Sequence, residues 1–202
     1  MKPLSAKRRV LFVGPYPPHF AGPHMAMKAL LGSSLSDRYD IVFINTNTRR
    51  GSNEKRGSVD IIAVKAFFIF ITQLIVKVFK YRPEMAYYFV TATRLGWLGR
   101  DIWCIFLSKM LVGKIVIHMR AGHFRRNMET CRGWERAIIK FSRSLVDMGI
   151  VQSNNLRDQF YDLTPENRIV AVYNGIDTRK YHNNSTEIYD HNMTLFQDIL
   201  LT

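Results

Sequence analysis

Cysteine is scarce in this chain, acid is scarcer than base, and no apolar run is long enough to be clean. Only two cysteines occur in 202 residues, Cys104 and Cys131. They stand alone at no metal-ligand spacing, which argues against a zinc site or a disulfide framework and for core thiols in a reducing compartment. No metal or cofactor motif is present, and no Gly-x-Gly-x-x-Gly dinucleotide fingerprint follows any strand. Asp and Glu total 16 against 29 Lys and Arg, a formal charge of +13 and a pI near 10.0. Such a surface attracts polyanions or anionic lipid. Specific nucleic-acid readout is not expected, because recognition-motif spacing, zinc-ligand pairs and an aromatic pair on a basic strand are all missing.

Residues 61–79 are the most apolar stretch, yet Lys65, Thr72, Gln73 and Lys77 interrupt them. They fall short of the ~20 clean residues a spanning helix needs. The segment reads as a strongly buried helix in preference to one lying in a membrane interface. The apolar run after the basic N-terminus is too short for a secretory signal, so a cytoplasmic location is expected, with room for peripheral attachment at the inner membrane face.

What is present alternates. Arg9–Gly14 is a continuous apolar run closed by glycine, the signature of a central parallel strand. A loop rich in proline follows, then a helix that Gly22 and Pro23 open and that runs to about Leu35. The strand Asp40–Asn45 comes next. After a basic loop over Thr46–Gly57, helices near 62–80, 97–111, 133–145 and 154–161 alternate with strands at Met85–Val90, Lys114–His118, Met148–Val151 and Ile169–Tyr173. This pattern predicts an α/β, Rossmann-like, doubly wound parallel sheet of roughly six strands with helices on both faces. One domain spans 1–181. Residues 182–202, polar and carrying three Asn-x-Ser/Thr triplets, read as a poorly ordered tail or the start of a linker.

In an open parallel sheet, ligands bind beyond the C-terminal strand ends, which selects the loops after Val13, Ile44, Val90, His118, Val151 and Tyr173. The first loop brings Gly14 and Gly22 to a helix N-terminus, where free N–H groups favour an anion; the same glycines and prolines would also serve simply to shape a βα turn. The fourth begins His118-Met119-Arg120-Ala121-Gly122-His123. Arg120 stays protonated and cannot be a general base, but its planar fork suits phosphate or carboxylate, or else a strand-end salt bridge. His118 reads equally as a satisfied buried histidine or as a functional one. Asp101 is expected in the first turn of a helix, complementing its dipole. Arg94, Arg120, Arg125, Arg126, Arg132, Arg136, Lys140 and Arg143 would form a basic rim.

Together the Arg168–Asp177 strand closed by Asn174-Gly175-Ile176-Asp177 and the His118–Phe124 segment resemble the N-terminal domain of a GT-B glycosyltransferase of the retaining, family 4 type. The resemblance covers about residues 8–181. It implies sugar transfer from a nucleotide sugar, acting as co-substrate, to a saccharide or lipid-linked acceptor bound by this domain. It sets Gly14, Ala21 and Gly22 in the loop facing donor diphosphate and acceptor, with Ala21 where that family usually has glycine. His118 matches the histidine beside the reacting sugar, Arg120 replaces a second histidine, Gly122 opens room for the sugar, and His123 is an addition. Asn174 and Gly175 mark the exit to a second domain. That donor-binding domain, with its Glu-x7-Glu pattern, is not in the sequence. The chain is thus expected to be a truncated or split acceptor-binding half, inactive without a separate donor-binding partner. The alternative is a catalytically inactive module docking to anionic membrane or to a partner transferase.

Overall fold

The computed structural model describes residues 7–18, 22–47, 61–120, 122–161 and 164–173. Six strands form one sheet in the order β2-β1-β3-β4-β5-β6, and every neighbouring pair runs parallel. They are β1 (Arg8–Gly14), β2 (Tyr39–Asn45), β3 (Met85–Val90), β4 (Ile115–Met119), β5 (Met148–Val151) and β6 (Ile169–Ala171). The expected parallel α/β architecture is what the chain adopts. All six residues of β3 and all five of β4 are buried. That burial on both faces is why these strands read as unbroken apolar runs instead of alternating ones.

The two faces carry different helices. α1 (Gly22–Leu31) and the single turn α2 (Leu35–Arg38) cover one face, packing Met27 and Leu35 against Val10, Phe12, Tyr87 and Phe89. On the other face lie α3 (Ile61–Tyr81), α5 (Ile102–Leu111), α6 (Phe124–Glu129) and α7 (Gly133–Leu145). Between β3 and α5 come the short α4 (Arg94–Gly96) and a π-helical turn, Trp97–Asp101. Each buried aliphatic of this core contributes roughly 1.5–3 kcal/mol by leaving water.

Several local expectations are corrected. The first helix stops at Leu31, because Gly32-Ser33-Ser34 interrupts it and the Ser33 hydroxyl donates to the Leu30 carbonyl at 2.6 Å. The helix expected at 97–111 starts as the π turn Trp97–Asp101 and continues as α5, with α4 ahead of it, and 154–160 is a 3-10 helix, not an α-helix. α6 arises within what reads as a loop. It forms because Phe124 and Met128, one turn apart, reach the core, Phe124 meeting Trp97 edge-on at 5.0 Å. The buried helix expected at 61–79 is buried along one stripe only, Phe70, Leu74 and Val78, while Phe68, Val76 and Phe79 are exposed. The Asn174–Asp177 turn, most of the 46–57 loop and the 182–202 tail lie outside the described residues.

Candidate functional site at the C-terminal rim of the sheet

The crossover leaving β1 passes over one face toward β2, and the crossover from β2 returns over the other toward β3. The strand order therefore switches between β1 and β3, the position at which open parallel sheets carry their ligand crevice beyond the carboxyl ends. Gly14 ends β1 at this point. A Cβ there would collide with Met27 Cε and stand 3.3 Å from Phe89, so glycine lets the Met27 side chain of α1 pack directly over the strand end. Among the described residues, no atom lies within 4 Å of where a Cβ on Gly22, at the start of α1, would be. Ala21 lies outside the described residues, as do Asn174 and Gly175.

Phe89 links β1 to β4. Its register partner is His118, with ring centroids 5.0 Å apart and edge-on, and the Arg120 guanidinium sits over the same ring at 5.9 Å. Gly14, His118 and Arg120 thus gather around one aromatic side chain. All three lie on the α1 side of the sheet, because strand residues two apart share a face. With its amide oxygen turned toward the guanidinium, Gln152 after β5 accepts from Arg120 Nη2 at 3.2 Å and Nε at 3.1 Å. Burial works against the Arg120 charge, yet arginine stays protonated.

His118 is 4 % exposed. Its Nδ1 lies 2.5 Å from the Tyr87 hydroxyl, and Nε2 is buried with no hydrogen-bond partner among the described residues. Burial first, and the Arg120 charge second, push the imidazole down to about 3. Burial likewise holds Tyr87 far above the ordinary phenol range. Both rings are neutral at physiological pH. His118 is therefore a poor general base, but Nε2 can exchange one hydrogen bond with a neutral hydroxyl.

Gly122 and His123 follow on the same loop and are exposed. A Cβ on Gly122 would stand 3.3 Å from Leu156 in the 154–160 turn, and His123 occupies the N-cap of α6, where its carbonyl accepts from the Asn127 N–H at 3.1 Å. No described contact joins either to the Gly14–Phe89–His118 cluster.

Asp101 does not cap a helix. The π turn swings its carboxylate under the sheet, where it is fully buried. Oδ1 accepts from the Tyr88 hydroxyl at 2.6 Å, and Oδ2 from the Thr91 N–H at 2.6 Å and hydroxyl at 2.8 Å. Arg100 Nε donates to Asp101 Oδ1 at 3.0 Å. This network pins the loop after β3, next to the switch point. Tyr87 and Tyr88 are thus rim-shaping residues that sequence reasoning passed over, and Asp101 is a buried acceptor where a helix-dipole partner was expected. The signal was present: two consecutive tyrosines in a central strand point to opposite faces, and each buried hydroxyl needs a polar partner.

The basic rim is partly neutralised. Glu135 accepts from Arg94 and lies 3 % exposed, its carboxyl held below the usual range by that hydrogen bond, and Arg125 lies 3.7 Å from Asp158. Arg136 donates to the Glu129 carbonyl at 2.7 Å. Arg126 and Lys140 have no ion-pair partner among the described residues, and the Arg143 side chain is outside them. Cys104 and Cys131 are free and buried, with burial pushing the Cys104 thiol up to about 12, so neither is a reactive thiolate. Among the described residues no three His, Cys, Asp or Glu side chains cluster as metal ligands. No protein-family model matches the chain, and no curated protein matches it significantly.

Proposed function

We propose that this chain is the acceptor-binding lobe of a two-lobed sugar-transferring enzyme, with the crevice between β1, β3 and β4 receiving a saccharide or sugar-diphosphate acceptor. What supports the reading is one juxtaposition. A neutral, buried imidazole with an unmatched Nε2 and a guanidinium meet over Phe89, where the sheet order reverses. Nε2 suits a sugar hydroxyl, Arg120 suits a phosphate oxygen pair, and Gly22, at the start of α1, gives the diphosphate a helix N-terminus. The donor nucleotide sugar belongs, on this reading, to a partner lobe, since no Glu-x7-Glu pattern occurs in these residues.

The test is a titration with a sugar diphosphate, followed by NMR on the imidazole rings. Binding should move the His118 Nε2 resonance, leave that of exposed His123 less affected, and weaken on the order of tenfold in Arg120→Lys, because lysine cannot reproduce a bidentate fork. Transfer activity should appear only when a donor-binding domain is added. An unmoved His118 with every saccharide and sugar diphosphate tried, or unchanged affinity in the lysine variant, removes the assignment. The inactive docking module predicts that outcome together with lipid affinity.

A further inference from the structure

We propose that the outer surface of α3, α5 and α7 is a docking face for an anionic lipid bilayer, on which the molecule lies without inserting a span. The three helices are the crossovers β2–β3, β3–β4 and β4–β5, so they lie side by side over one face of the sheet. Each buries one stripe on the strands and turns another outward, and the outward stripes are unusually apolar. Phe68 and Phe79 on α3, Trp103 and Met110 on α5, and Trp134 and Phe141 on α7 are all more than half exposed, Met110 reaching 70 %. Spacings of 11, 7 and 7 residues place each pair on one side of its helix. Six large apolar side chains exposed on one helix layer of a folded domain are the kind of surface that marks an interaction site.

Charge identifies the occupant. α3 and α5 contain no Asp or Glu, and the one carboxylate of α7, Glu135, is turned inward and held by Arg94. Lys65, Lys80, Arg136 and Lys140 are exposed on the same three helices. Cations therefore border the aromatics, with no exposed carboxylate on these helices to oppose them. Apposed to a second copy, this face would meet like charge, in a chain already at +13. An anionic headgroup layer supplies the opposite sign and a boundary into which aromatics partition. Trp103 and Trp134 are each the second residue of their helix, so both stand toward the rim that carries Arg120 and Gly122. Tryptophan at that position suits the headgroup level of a bilayer. Among the described residues no helix is long and apolar enough to cross a membrane, which agrees with a helix layer lying on the surface. This inference stands apart from the sugar-site reading, because it is read without any saccharide.

The whole chain should be mixed with phosphatidylcholine vesicles with and without phosphatidylglycerol, and followed by co-sedimentation and tryptophan emission. Binding to the anionic vesicles alone is expected, with a blue shift and quenching by brominated lipid. Trp97, fully buried, is an internal reference that should not respond. Trp103→Ser with Phe141→Ser should lower partitioning on the order of tenfold while the variant still unfolds cooperatively, because both side chains are more than half exposed. Lys65→Gln, Lys80→Gln and Lys140→Gln should each lower it roughly fivefold at low salt. No partitioning into anionic vesicles overturns the proposal, as does partitioning that the Trp103→Ser, Phe141→Ser variant leaves unchanged. A blue shift without lipid that grows with protein concentration, with a dimer in sedimentation velocity, overturns it in favour of self-association.

Discussion

His118 shows how burial converts a titratable side chain into a fixed hydrogen-bonding group. Its folded value of about 3 lies below the ordinary value of 6.5, with Tyr87 and Arg120 as the groups that face it. Between those pH values the unfolded chain binds a proton that the folded chain refuses, so the contribution is fully present above about 6.5 and lost as pH falls toward 3. Over that window it amounts to a few kcal/mol at roughly 1.4 kcal/mol per unit. His118→Gln keeps a polar partner for Tyr87 but cannot titrate. Its urea midpoint should therefore decline less than wild type on acidification from pH 6.5 to 4, and parallel declines would show that the imidazole is not buried neutral. Carboxylates such as Glu135 lose stability in acid in both proteins, so the difference isolates His118. On the opposite face, Tyr88→Phe removes one donor from a fully buried carboxylate that Thr91 and Arg100 still hold. A loss of about 1–3 kcal/mol in denaturant unfolding is expected. A loss under about 0.5 kcal/mol would mean that the remaining donors satisfy Asp101 by themselves.

At the scale of elements, the strands were legible and the joints between helices were not. β3, α7 and β5 lie where the pattern of apolar residues puts them, because a strand buried on both faces or a strongly amphipathic helix writes its period directly into the sequence. The π turn at Trp97–Asp101 and the emergence of α6 are decided by contacts across the fold: Asp101 with Tyr88, Phe124 with Trp97. No local period announces them. The site divides in the same way. His118 and Arg120 were legible because they end an apolar strand, whereas their meeting over Phe89 depends on the β3–β4 register. Gly14 is the case where an expectation based on loops met a packing answer. Glycine there admits Met27, so Gly14→Ala should cost about 1–3 kcal/mol through overpacking. Met27→Ala alone should cost about 2–5 kcal/mol as a cavity. Since the obstructing atom is the end of a flexible side chain, the double variant should be less destabilised than the sum. Strict additivity in the double-mutant cycle would show that the alanine methyl meets backbone instead.

On the scale of the whole molecule, the excess of base has two separable consequences. A charge of +13 produces a diffuse attraction for any polyanion, including nucleic acid, and that attraction follows counterion release. Arg94, Arg100, Arg125 and Arg136 are drawn into contacts with the protein's own carboxylates or carbonyls, so the described cations do not line one uninterrupted track for a phosphate backbone. Nucleic-acid retention should therefore be indifferent to sequence and should disappear at modest salt, with the logarithm of affinity falling by about 0.9 per phosphate neutralised on a duplex. The outer face of α3, α5 and α7 couples charge to exposed aromatics, and apolar burial is not weakened by simple salt as ion pairing is. Raising salt in parallel DNA-retention and vesicle-binding measurements should thus abolish the first while leaving a residual, blue-shifted fraction of the second. Retention of one DNA sequence over others at physiological salt would contradict the diffuse picture, and loss of both signals at the same salt would reduce the lipid face to plain electrostatics.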